Sequence, residues 1–262
     1  MIVADRQQVV SSFTVIKGAM VAETYEVLAH WDFELDKKAN LDRLRDENYI
    51  GAQSANWLRD VAKVLNRRLD PNGRDRALTI LAQGGLPLEE WKPILLWHIT
   101  RDEFLFRDFL VTWLFDAFDR GLYRIRPDDL HDYLTTIGLR GGEVEHAWTP
   151  ATLNRVATGL LKMSADFGLL SGGSVKEFTH YHLPQRSLMY LVRAVLEHEA
   201  GSAQRTVASP EWRMYLLRED DLTNELLRLH QFRELGFEAA GTLVQLTLAT
   251  ESPLEYAQEL VA

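Results

Sequence analysis

The chain has 262 residues, a formal net charge of −9 and no cysteine. That length suffices for one large or two ordinary domains with real cores. The missing thiols exclude disulfides, cysteine nucleophiles and thiolate metal sites, and they fit a reducing compartment. The most apolar stretch, 104–118, is broken by Arg107, Asp108 and Asp116, so it is no spanning segment. No basic region followed by an apolar run opens the chain. We therefore expect a soluble, cytoplasmic protein with no membrane partner.

Residues 1–10 read as a loose lead-in. Phe13 to His30 has helical spacing through Val15, Met20, Val27 and Leu28, with Gly18 as a local weakness. Asp36 to Glu47 predicts a short charged helix with Leu41 and Leu44 inward. After a turn containing Gly51, Ser54 caps a third helix reaching about Leu69. Its apolar line is Leu58, Val61, Ala62, Leu65 and Leu69; its outer line carries Asn56, Arg59, Lys63, Asn66 and Arg67. Three helices ending in a polar, basic one suggest a helix-turn-helix, and Asn56, Arg59, Lys63, Arg67 and Arg68 become candidate contacts to duplex DNA. A solvated helix face would look similar.

Asp70-Pro71-Asn72-Gly73 marks a turn and a domain edge. A short helix is predicted from Arg76 to Gln83. Pro93 splits the next stretch into two helical pieces, Pro87–Trp91 and Pro93–Ile99. Asp102 to Arg120 reads as one long helix whose bulky residues belong to the core. A short extended run, Leu122 to Ile125, precedes a helix from Pro127 to Ile137 and a loop from Gly138 to Ala147.

Trp148-Thr149-Pro150 is a helix start, with Thr149 as cap and Pro150 at the first helical position. Leu153, Val156, Ala157, Leu160, Leu161 and Phe167 form its apolar face; Asn154, Arg155, Thr158, Gly159 and Lys162 lie opposite. Gly172-Gly173 then predicts a hairpin turn between Leu169–Ser171 and Val175–Leu183. On the second strand Lys176, Phe178, His180 and His182 share one side. From Asp102 onward the predicted order is helix, short strand, helix, helix, strand, turn, strand, which is the order of a winged helix. Asn154, Arg155, Thr158, Lys162 and Lys176 are its candidate DNA contacts.

Further helices are expected from Ser187 to His198, briefly over 201–207, from Ser209-Pro210, from Asp221 to Leu235, and after Ser252-Pro253. Phe237 to Thr250 fits helix or strand equally. The expected fold is mainly α, with an N-terminal helix-turn-helix and a central winged helix bearing one small β-hairpin and a short strand. We divide it into units 1–75, 76–184 and 185–262.

The charge is unevenly placed. Residues 54–76 hold 6 Lys/Arg against 3 Asp/Glu, and 148–186 hold 4 against 2. The flanking windows are acidic: 77–147 holds 7 against 12 and 187–262 holds 6 against 12. Both basic windows contain a candidate recognition helix, and such a distribution favours a few salt-sensitive phosphate contacts. Two short patterns point toward enzymes. His180-x-His182 could begin a metal site but lacks a completing ligand. Arg193 and His198 have the Arg-x4-His spacing of some helical ribonucleases, on not quite the same helix face. No phosphate-loop, nucleophile-elbow or zinc-protease motif is present.

The runs SFTVIKGAMVAETYEVL, NYIGAQS, HITRDEFLFRDFLVTWLFDAFDRG, WTPATLNRVATGLLKMSADFGLL, SPEWRMYLL and AAGTLVQLTLATESPLEYAQEL, in this order and spacing, resemble the BrxA family of bacteriophage exclusion (BREX) defence systems. The resemblance spans about 11–262. It implies a helical, non-enzymatic component of a phage-defence locus, carrying helix-turn-helix and winged-helix elements and binding double-stranded DNA. It implies no cofactor and no small-molecule substrate. It also implies other BREX proteins as partners, which leaves a protein–protein scaffold as the rival reading. The family's fold has also been compared with an RNA-binding antitermination factor, so RNA binding or RNA cleavage is a third. No site residue comes from the family; those above rest on charge and helical face.

Overall fold

The computed structural model describes residues 10–140, 147–240 and 243–262. Most of the expected lead-in, and the Gly141-Gly142 part of the expected loop, lie outside these residues. Among the described residues the chain is mainly helical, with two small antiparallel two-stranded sheets. No described helix is long and apolar enough to cross a membrane.

The first expected helix is two. Helix α1 (Ser12–Lys17) stops at Gly18, whose φ of 90° a helix cannot hold, and α2 (Val21–Ala29) starts after Met20 in the left-handed region. Gly18 thus ends a helix where the sequence suggested only a weak point. Helices α3 (Lys37–Glu47) and α4 (Ala55–Arg68) are capped by Asp36 and Ser54, whose side chains accept from the Ala39 and Trp57 amides. Helix α5 (Arg76–Gln83) matches its predicted span. Helix α6 (Leu88–Thr100) runs through Pro93 without a break, a correction to the two pieces expected. Pro93 removes one amide bond, but Trp91, Ile94, Leu95 and Leu96 beside it are fully buried, and that packing outweighs the missing bond.

Helix α7 (Phe104–Asp108), a π-helical stretch (Phe109–Leu114) and α8 (Phe115–Asp119) continue one another along the expected long helix. A 3-10 turn (Pro127–Leu130) leads into α9 (His131–Thr135), and a second 3-10 turn covers Ile137–Arg140, the first part of the expected loop. Helix α10 (Pro150–Asp166) begins as anticipated, with Thr149 accepting from the Thr152 amide. The following hairpin is much shorter than expected: β1 (Leu170–Ser171) pairs with β2 (Glu177–Phe178), and His180 and His182 lie beyond it. Ile125 joins by a two-bond bridge to Lys176, each amide donating to the other's carbonyl at 2.8 Å.

Beyond lie α11 (Gln185–His198), α12 (Ala203–Val207), a 3-10 turn (Pro210–Tyr215) where a helix was expected, and α13 (Glu219–Gln231). The ambiguous stretch resolves into β3 (Gly236–Ala240) paired with β4 (Leu243–Thr247), and α14 (Pro253–Val261) packs on α5.

Among the described residues, one cluster of buried side chains draws on elements from Val10 to Ala257. All three units divided on the sequence contribute to it. A close crossing joins the first to the second. Gly159, placed on the outer face of α10 by the sequence, is instead buried against α1, where an added Cβ would sit 2.7 Å from the Val15 carbonyl. We predict that Gly159→Ala lowers stability by about 1–2 kcal/mol in urea denaturation. The clash is with a backbone carbonyl, which cannot swing aside, so the overpacking cost falls in the upper part of the ~1–3 kcal/mol range and exceeds alanine's helix-propensity gain of roughly 1 kcal/mol. An unchanged or raised midpoint would contradict this contact.

Candidate nucleic-acid interface

Helix α4 is strongly two-faced. Leu58, Val61, Ala62 and Leu65 are buried, while Asn56, Arg59, Lys63, Asn66 and Arg67 are exposed. Arg59 donates to the Asn56 side chain, so those two candidates act as a pair. The helix is held from both sides. The Lys37 ammonium, from α3, donates to the Asn66 and Leu69 carbonyls (2.6 and 2.5 Å), where a cation suits the helix C-terminus. Burial pulls the Lys37 pKa below its usual value despite nearby Asp70. On the other side Lys17 of α1 pairs with Asp60 at 2.6 Å.

Arg68 is not part of this surface, which corrects its assignment as a DNA contact. Its side chain is buried, and its guanidinium donates to the carbonyls of Thr14, Gly18 and Ala19 and to Glu103. Glu103 also accepts from the Thr14 hydroxyl at 2.5 Å. One position past Arg67, the helical rotation turns the side chain from solvent to the core. Nothing in composition distinguishes the two arginines; only the phase against Leu58, Val61 and Leu65 does.

On α10 the exposed set is Asn154, Arg155, Thr158 and Lys162, all four as expected. Lys176 is half-buried, and its ammonium closes the hairpin turn on the Gly172 carbonyl (2.6 Å) rather than projecting outward. Asp166, at the end of α10, accepts from the Ala19 amide; burial raises its pKa, and Lys162 opposes the rise. Helix α1 touches both α4 and α10, so the two helices that carry the basic faces pack on one short helix.

The structure adds exposed cations that the sequence reading missed. Arg120, Arg124 and Arg126 are exposed close in sequence to the exposed Tyr123; the Arg124 guanidinium lies 5.5 Å from the Tyr123 ring and 3.4 Å from Glu177. The Ile125–Lys176 bridge brings this segment to the edge of β2. The Arg-x3-Arg-x-Arg spacing was legible, but the acidic window 77–147 averaged it away. As for the two enzymatic patterns, His180 and His182 are exposed beyond β2. Arg193 is buried beneath Tyr256, 4.2 Å from the ring, and donates to the Thr250 and Met189 carbonyls, while His198 stands edge-on to Trp97.

The BrxA family model matches residues 11–194. The chain belongs to the BrxA family. No curated protein matches it. The match includes both basic helices and the bridged hairpin, and it ends within α11, so most of the acidic C-terminal stretch lies beyond it. BrxA membership gives the chain a role in BREX phage defence.

Proposed function

We propose that this BrxA-family chain is a non-catalytic DNA-binding component of its defence system, acting in the cytoplasm. It contacts the duplex backbone through the exposed faces of α4 and α10. One observation carries the reading: two helices that pack on the same short helix each present a solvent-facing basic face, Arg59, Lys63 and Arg67 on α4 and Arg155 and Lys162 on α10, on an otherwise acidic body. The three-helix order around α4 supports a helix-turn-helix. The order of α7–α8, Ile125, α9, α10, β1 and β2, with Ile125 bridged to the hairpin, supports a winged helix. Few cations are involved, so binding is backbone-directed, weakly sequence-dependent and salt-sensitive.

A gel shift on duplex DNA at rising salt tests this. The expected result is a shift that fades steeply with salt. The double variants Arg59→Glu/Arg67→Glu and Arg155→Glu/Lys162→Glu each reduce the slope of log K against log salt by about 2, one unit per phosphate contact. Wild-type slopes in both variants would remove the assignment of these faces.

A second reading, a scaffold for other BREX proteins, is favoured by Phe232 and Leu243. They are 67% and 61% exposed near the β3–β4 hairpin of the acidic C-terminal stretch. Co-purification with the other products of the locus, lost on Phe232→Ser, is its expected signature; equal recovery with and without the substitution removes it.

A further inference from the structure

We propose that the cleft between α3 and α4 is a phosphate seat, occupied by a backbone phosphodiester of the bound duplex and restrained in the absence of DNA by Asp42. The proposal rests on the duplex-binding reading above and extends it to a helix, α3, that carries none of the candidate contacts.

The cleft has a volume of about 470 Å³ and opens to solvent beside the exposed face of α4. Leu41 and Ala62, both buried, form its floor, and four cations form its walls: Lys38 and Arg45 from α3, Arg59 and Lys63 from α4. Among the described residues, no carboxylate pairs with Arg59 or Lys63. On the α3 side a single carboxylate serves both cations: Asp42 lies 3.3 Å from Lys38 and 2.9 Å from Arg45. Four positive walls around one small carboxylate leave an unbalanced field, to which a phosphate is the matching anion.

The lining selects a polymer phosphate over a small nucleotide. The aliphatic floor has no aromatic ring on which a base could stack and no buried donor or acceptor to fix its edge. Arg59 and Lys63 belong both to the cleft and to the exposed face of α4, so a strand crossing that face passes over the cleft mouth. The two helices are already set for it, because Lys37 ties α3 to the C-terminal carbonyls of α4. Binding then replaces the two exposed Asp42 pairs with two phosphate contacts and requires no movement of backbone.

The test measures anisotropy of a labelled short duplex with the full chain across a salt series, with free pyrophosphate as a second probe. Asp42→Asn removes the internal competitor, and the expected result is duplex binding tightened about two- to fivefold, the range of an exposed ion pair, with a steeper salt slope. Glu47→Gln removes the same charge from α3 at its pair with Arg43, away from the cleft lining, and serves as control. Lys38→Glu/Arg45→Glu is expected to weaken duplex binding and flatten the slope. If Asp42→Asn and Glu47→Gln change duplex affinity equally, or Lys38→Glu/Arg45→Glu leaves it unchanged, the seat is refuted while duplex binding stands. If Asp42→Asn alters pyrophosphate binding but not duplex binding, the cleft takes a small anion and the proposal is equally overturned. A wild-type chain that binds no duplex overturns both this proposal and the function on which it rests.

Discussion

Replacing Arg68 by methionine is expected to destabilise the protein by about 3–5 kcal/mol, whereas Arg67→Ala, one residue earlier, is expected to change stability by less than ~0.5 kcal/mol. Arg68 is buried and satisfies three carbonyls at the α1–α2 junction besides Glu103. Its loss leaves the Glu103 carboxylate buried with only Thr14 and without its cation, and leaves the carbonyls of Thr14, Gly18 and Ala19 short of a donor. Urea denaturation reads the difference directly. The double variant Arg68→Met/Glu103→Met is expected to be less destabilised than Arg68→Met alone, since removing both charges removes the uncompensated one. The ordering for DNA binding is the reverse. On the proposed function, Arg67→Ala is expected to weaken duplex binding by a fully folded protein, while the folded fraction of Arg68→Met is expected to keep the exposed α4 face. A stable Arg68→Met with lost duplex affinity would return Arg68 to the interface.

The second large effect depends on pH. His98 of α6 is buried between Asp75, at the start of α5, and Tyr190 of α11. Its Nδ1 faces an Asp75 oxygen at 2.5 Å, and its Nε2 lies 2.8 Å from the Tyr190 hydroxyl. Burial and the adjacent Arg101 charge lower its pKa from 6.5 to about 4, against the raising effect of Asp75. The neutral ring donates from Nδ1 to the carboxylate and accepts at Nε2 from the tyrosine, whose own pKa burial raises. The unfolded chain protonates this histidine near pH 6.5 and the folded chain does not until about pH 4. Stability from this group is therefore fully present above pH 6.5 and lost as pH falls to about 4, amounting to roughly 3 kcal/mol.

Asp75 does not blur this window. Burial alone would raise its pKa, but His98 and Arg101 together bring it below the usual carboxylate value, so it titrates further down. The raised Asp166 carboxyl acts with the opposite sign and is common to wild type and variant. Melting curves from pH 7.5 to 4 should show the wild type losing more stability than His98→Gln. Parallel curves would mean that His98 takes up its proton over the same pH range in the folded and the unfolded chain.

Much of the helical framework was legible because its signals are local. Ser54, Thr149 and Ser252 cap the helices they were expected to cap, and the apolar phase of α4 and α10 fixed which side chains reach solvent. The misreadings arose where a distant contact decides. Gly159 turns inward because α1 crosses there; Pro93 stays helical because its neighbours are buried; Arg68 is internal because Glu103 and the α1–α2 carbonyls await it. The short β1–β2 pairing and the β3–β4 hairpin depended on register, which alternation in a single strand does not specify. In the candidate interface, the α10 set and most of the α4 set followed from helical face. The cleft did not, since it exists only once α3 lies beside α4.

The packing of α14 on α5 has a consequence for how the molecule is made. Synthesis at about 5–20 residues per second separates the two helices by on the order of 10–30 s. Throughout that interval the surface of α5 that α14 will cover is exposed on the nascent chain, and the last long-range contact forms only after nearly every other helix exists. The apolar face of α5 is then the place where a chaperone would hold the growing chain, and where slowed translation would favour aggregation over folding.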